Sequence, residues 1–150
     1  MRYACVGSSA LLFLLLASQA GAQGVQIPHG AAPAVVEVLK TDLLPQGFQL
    51  QRADQKTALF TLDRGMVGQR QGGAIHVILE LQFSFKQKSD GLVVRADEVV
   101  VGQAGTSFEN RKPVESRLER DNLQRLLDSV RARIEASADS AGRHDSTSRR

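Results

Sequence analysis

From Ile75 to Phe85 every second residue is apolar: Ile75, Val77, Leu79, Leu81, Phe83 and Phe85. His76, Ile78, Glu80, Gln82 and Ser84 fill the positions between them. Period-two patterning over this length is the mark of a β-strand with one face buried. At about 3.4 Å per residue the strand spans roughly 37 Å, well beyond the common five or six residues. A fold built around it needs partner strands along its edges and a cover over its apolar row.

Flanking segments supply both. Phe48–Arg52 and Thr57–Asp63 read as short strands joined by a tight turn over Ala53–Lys56. Arg64–Gly73, rich in glycine, reads as a loop. After Phe85, Lys86–Gly91 holds the hairpin signal Asp90-Gly91, and Leu92–Val101 returns as a fourth strand. Its alternation slips at Asp97-Glu98, where Val99, Val100 and Val101 run together, which predicts a bulge or a sharp bend. Before the strands, residues 23–31 form a polar lead-in. Ala32–Leu44 then carries Val35, Val36, Leu39 and Leu43 at helical spacing, with Pro33 in the first turn and Pro45 and Gly47 at the stop. Gly102–Lys112 reads as a polar connection. A last helix is predicted from Pro113 to Ala136, its stripe formed by Val114, Leu118, Leu123, Leu126, Leu127, Val130 and Ile134. Residues 137–150 have almost no apolar side chain and read as a disordered tail.

Short turns between consecutive strands imply an antiparallel meander. The predicted class is therefore α+β in two layers, a single domain over 32–136: an N-terminal helix, a four-stranded antiparallel meander, and a long C-terminal helix packed on the sheet. In element order this resembles the helix-grip group, in which a curved antiparallel sheet wraps a long carboxy-terminal helix. That group includes small envelope-assembly domains, and the resemblance rests on element order alone. Phe48, Leu50, Phe60, Leu62 and the Ile75–Phe85 row are expected on the hidden face, and Glu80 on the wet one. Glu80→Ala is accordingly expected to be close to silent.

Residues 1–22 set the expected compartment. Arg2, an apolar run from Ala10 to Ala17 and the small-x-small pattern Ala20-Gly21-Ala22 form the three parts of a bacterial signal peptide. The run has far fewer than the roughly 20 apolar residues of a membrane span. Cleavage near Ala22 into the periplasm or medium is expected. Cys5, the single cysteine, precedes the apolar run, so neither a lipid anchor nor a disulfide is expected in the mature chain. Removing Arg2 lowers the formal charge of +3 by one. Such a balance gives no electrostatic case for nucleic acid.

No motif for a reaction stands out. His76 and Glu80 share a strand face and could form a polar or metal-binding pair, or be ordinary wet-face residues. Asp97 and Glu98 are adjacent carboxylates, but neighbours on a strand point to opposite faces. Gly-x-Ser-x-Gly is absent. Gly65-Met66-Val67-Gly68 matches the G-x-x-G clamp of some RNA-binding domains, yet sits between predicted strands, and reads instead as a hairpin loop flanked by Arg64 and Arg70. No catalytic residue, cofactor or metal site is assigned. The expected function is an exported, non-enzymatic protein-interaction or envelope accessory module. The alternative is a carrier of a small lipid-like ligand in a groove between the last helix and the sheet, with Phe83, Phe85 and Phe108 at its open end. An enzyme would need His76, Glu80 and Asp97 to converge.

Overall fold

A computed structural model describes residues 23–68 and 73–144; the leader, Arg70 and residues 145–150 lie outside them. The elements run β1 (Gln23–Ile27), α1 (Ala32–Leu43), β2 (Gln49–Ala53), β3 (Thr57–Gly68), β4 (Ala74–Lys88), β5 (Gly91–Gly102), β6 (Asn110–Pro113) and α2 (Arg117–His144). Among the described residues the fold is α+β, with one antiparallel sheet and two α-helices. The sheet has six strands rather than the four expected. Their order is β1-β5-β4-β3-β2, and β6 also pairs with β5.

Both extra strands lie on one edge of β5. β1 pairs with Leu92–Ala96 and β6 with Val99–Gly102, end to end. The polar lead-in thus opens with a strand whose Val25 and Ile27 alternate into the core. The polar connection closes with one that has no buried side chain at all. β5 itself runs in unbroken register with β4 from Gly91 to Gly102, so there is no bulge at Asp97-Glu98 in that pairing. What changes there is the edge partner. The three consecutive valines reflect burial on both faces: Val101 is buried, and Val99 and Val100 are half-buried.

The Gly65–Gly68 stretch is strand and not loop. A register shift between Asp63 and Gly65 bulges β3 at Arg64. Gly65 takes φ 69° and donates its N–H to Asp63 Oδ1 at 2.7 Å, after which Met66 and Val67 pair with His76 and Ile75. A glycine in the left-handed region is what such a bulge requires. At the other end of β4, in the turn to β5, Gly91 is needed for a steric reason: a Cβ there would stand 2.4 Å from the carbonyl oxygen of Ile27 in β1.

Phe48 and Gly47 close the 3₁₀ turn Leu44–Gln46 that ends α1 in a Schellman arrangement. The Phe48 N–H donates to Leu43 O at 3.2 Å and the Gly47 N–H to Leu44 O at 3.0 Å, with Gly47 at φ 90°. Leu43 and Phe48, the hydrophobic pair of that motif, are both in the core. The core joins Val35, Val36 and Leu39 of α1, Leu123, Leu127 and Val130 of α2, and one face of the sheet. Phe60 and Phe83 meet edge to face there, with ring centroids 5.8 Å apart.

α2 starts four residues later than Pro113, because Pro113 belongs to β6 and the Val114 N–H donates to Glu98 O at 2.9 Å. It also runs past Ala136 to His144, so residues 137–144 are helical. α2 packs chiefly along β1 and α1 and only lightly on β5. Arg133 Nη1 reaches Asp42 Oδ1 of α1 at 2.6 Å. This placement leaves the far end of β3, β4 and β5 uncovered on the face that carries the core.

Candidate interaction groove

Beyond the first turn of α2 the core face continues as an open groove of about 500 Å³. Ile75 and Val77 of β4, Val100 of β5 and Val114 of the β6–α2 link supply its apolar surface. These are core-face positions by register: Val77 stands opposite Gly102, and Leu79 opposite Val100. Lys112 of β6 lies to one side, and Glu115 and Ser116 of the β6–α2 link form the other wall with Glu119 of α2. The groove is the core row running out from under its cover. Val67 (44 % exposed) and Leu118 (67 % exposed) show where that cover ends.

Glu98 occupies the core-face position of β5 between buried Ala96 and Val100. Burial raises its pKa above the ordinary 4.5, the negative charge of Glu119 raises it further, and Arg64 at the β3 bulge opposes both. A carboxyl whose folded pKa lies above its unfolded value gives its full contribution below the unfolded value. It loses that contribution as pH rises through the folded value. At neutral pH charged Glu98 therefore weakens the fold, and Glu98→Gln is expected to stabilise it by about 0.5–1 kcal/mol. Thermal melts at pH 7 should show the gain, and melts below pH 4.5 should show it shrinking. A gain that grows on acidification would mean that Glu98 is not desolvated.

A second concavity, of about 310 Å³, lies on the opposite face and is lined by Arg52, Leu59, Glu80, Gln82, Asp97 and Arg111 among others. Here Glu80 departs from expectation. It is 8 % exposed, the one buried charged residue among those described, and not a wet-face side chain. Its Oε2 accepts from Arg111 Nη2 and, at 3.0 Å, from Gln82 Nε2. β6, which has no apolar signal, brings Arg111 across β5 to cover it.

Glu80 and Asp97 thus line one concavity, but His76 is held elsewhere. Its Nε2 pairs with Asp63 Oδ1 at 2.8 Å, and Asp63 is acidified first by the Gly65 N–H and next by His76. His76, Glu80 and Asp97 do not converge. Asp97 and Glu98 point to opposite faces, as alternation requires. Phe83 and Phe85 are buried in the core, while Phe108 is 75 % exposed in the β5–β6 loop, so the three are not brought together. Among the described residues no three His, Cys, Asp or Glu side chains are grouped to hold a metal ion. No helix among them is long and apolar enough to cross a membrane.

Ile75 and Val77 were legible as members of the buried row. Val114, expected as the first member of the α2 stripe, lies instead in the link before the helix, because β6 holds Pro113. Val100 belonged to the run of three valines, the signal that pointed to a second buried surface, and nothing in the sequence set Glu119 apart. Neither a protein-family model nor a curated protein matches this sequence, so each residue's role rests on its own geometry.

Proposed function

We propose that this chain is an exported, non-enzymatic interaction module that binds a partner protein of the bacterial envelope through the groove at the free end of its sheet. The leader sequence directs it to the periplasm or medium, and the mature chain acts there without a lipid anchor. The arrangement is helix-grip-like, with an antiparallel sheet holding a long C-terminal helix against one face. One observation carries the reading: Ile75, Val77, Val100 and Val114 continue the core face past its cover and leave apolar surface open to solvent. A contiguous open apolar surface rimmed by charge is the usual mark of a docking site. A photo-crosslinking side chain at Ile75 is expected to trap one envelope protein, and the same group at Thr61 on the opposite face to trap none. Equal trapping at both positions, or none at Ile75, overturns the reading.

A second reading is the carrier of a small apolar ligand, favoured by the groove's volume, which falls within the roughly 300–1,000 Å³ of small-molecule sites. Such sites bury about 70–90 % of a ligand's surface, and this groove is open along its length. Native mass spectrometry separates the two: a co-purifying lipid-sized mass supports the carrier, and an apo spectrum the docking module.

A further inference from the structure

The chemistry of the partner segment is legible in the groove's charges, given the docking reading above. The groove wall carries Glu119 at the start of α2 and Glu115 in the link before it, and Glu98 of β5 lies next to them in an adjoining crevice that shares Val114. None of these three side chains has a hydrogen-bond or ion-pair partner among the described residues. Glu98 sits between buried Ala96 and half-buried Val100, so it is partly removed from water as well. One cation, Lys112, lines the groove beside Val100, against the two carboxylates Glu115 and Glu119. Arg64 projects from the β3 bulge and opposes Glu98 only as its weakest influence, and Arg120 lies in the crevice beyond Glu98 with Leu123. Two like charges, one of them desolvated, beside an apolar floor are relieved by a cation placed between them.

We propose that the groove takes a basic amphipathic segment of the partner protein, its apolar side chains on Val77, Val100 and Val114 and a lysine or arginine against Glu98 and Glu119. An acidic segment of equal hydrophobicity is rejected, because it would bring a third negative charge to the same point. The apolar floor supplies affinity and the carboxylates supply the choice of partner. The preference weakens as salt rises, since Glu119 is near the surface.

Three labelled peptides of equal length test this by fluorescence anisotropy with the purified protein: leucine alternating with lysine, with glutamate and with serine. The leucine–lysine peptide should bind at least ~10-fold more tightly than the leucine–glutamate one. Glu98→Gln with Glu119→Gln should remove most of that ratio and leave leucine–serine binding unchanged. Ile75→Glu, checked by its melting curve to be folded, should weaken all three peptides. Equal binding of the lysine and glutamate peptides, both lost in Ile75→Glu, overturns the basic partner and leaves the docking groove standing. Binding of oleate with none of the peptides bound overturns both.

Discussion

Leu79→Asp is expected to unfold the protein at neutral pH. Leu79 is 8 % exposed at the centre of β4, opposite Leu62 of β3 and Val100 of β5 on the core face. Truncating a buried leucine costs about 2–5 kcal/mol. An aspartate there adds an ionised carboxylate with no hydrogen-bond donor beside it, which costs several kcal/mol more. Together these reach the roughly 5–15 kcal/mol that holds a domain of this size. Far-UV circular dichroism should show loss of the cooperative urea transition. Leu79→Met, which keeps volume and polarity, should stay within about 1.5 kcal/mol of the parent. An aspartate variant that melts like the parent would mean that the Ile75–Phe85 row does not form the core.

Much of the fold was legible because burial on one face writes a period. The Ile75–Phe85 row, the α1 stripe and the α2 stripe from Leu123 to Ile134 appear where their spacing puts them, while Val114 precedes the helix and Leu118 is exposed. The misses share a cause. β6 has the sequence Asn-Arg-Lys-Pro and no buried side chain, so it has no period to read. Only the free edge of β5 makes it a strand. Gly65 and Gly68 look like loop residues, yet one of them serves a bulge inside β3. Pro113 suits a helix start by type, but β6 claims it first. The polar residues after Ala136 continue the helix, and two of their hydroxyls bond back to it, Ser137 Oγ to Arg133 O and Ser140 Oγ to Ala136 O, each at 2.8 Å.

The groove was half legible for a related reason. Alternation tells which residues face the helices but not where the helices stop. α2 has the length to cover β4, and it lies instead along β1, a strand the sequence did not declare. That displacement is what opens Ile75, Val77 and Val100. At Asp97-Glu98 the β4 pairing holds no bulge, and what changes there is the edge partner of β5, from β1 to β6.

Arg111→Ala is the other change expected to cost heavily, and it tests the one charged group that alternation placed in water. The Glu80 side chain is 10 % exposed and that of Arg111 50 %. The two halves of the pair therefore differ in what their loss leaves behind. Without Arg111 the buried carboxylate keeps only the Gln82 Nε2 donor at 3.0 Å. Stranding a charge in a fully buried pair costs about 3–5 kcal/mol; discounted for the exposed guanidinium, about 2–3 kcal/mol is expected here. Glu80→Gln removes the charge and keeps the shape. It leaves Arg111 to water and to Glu109 Oε1, 3.0 Å from its Nη1, and should cost about 1 kcal/mol or less. Arg111→Ala made in the Glu80→Gln background should then lose most of its effect, giving a coupling of about 1–2 kcal/mol by urea melts. Amide exchange should rise in β6 in Arg111→Ala, since that strand has no buried side chain to hold it. Additive effects would mean that Arg111 does not hold Glu80. With a coupling of that size, the pair is what fastens a strand without hydrophobic side chains to the edge of β5, beside the groove it helps to floor.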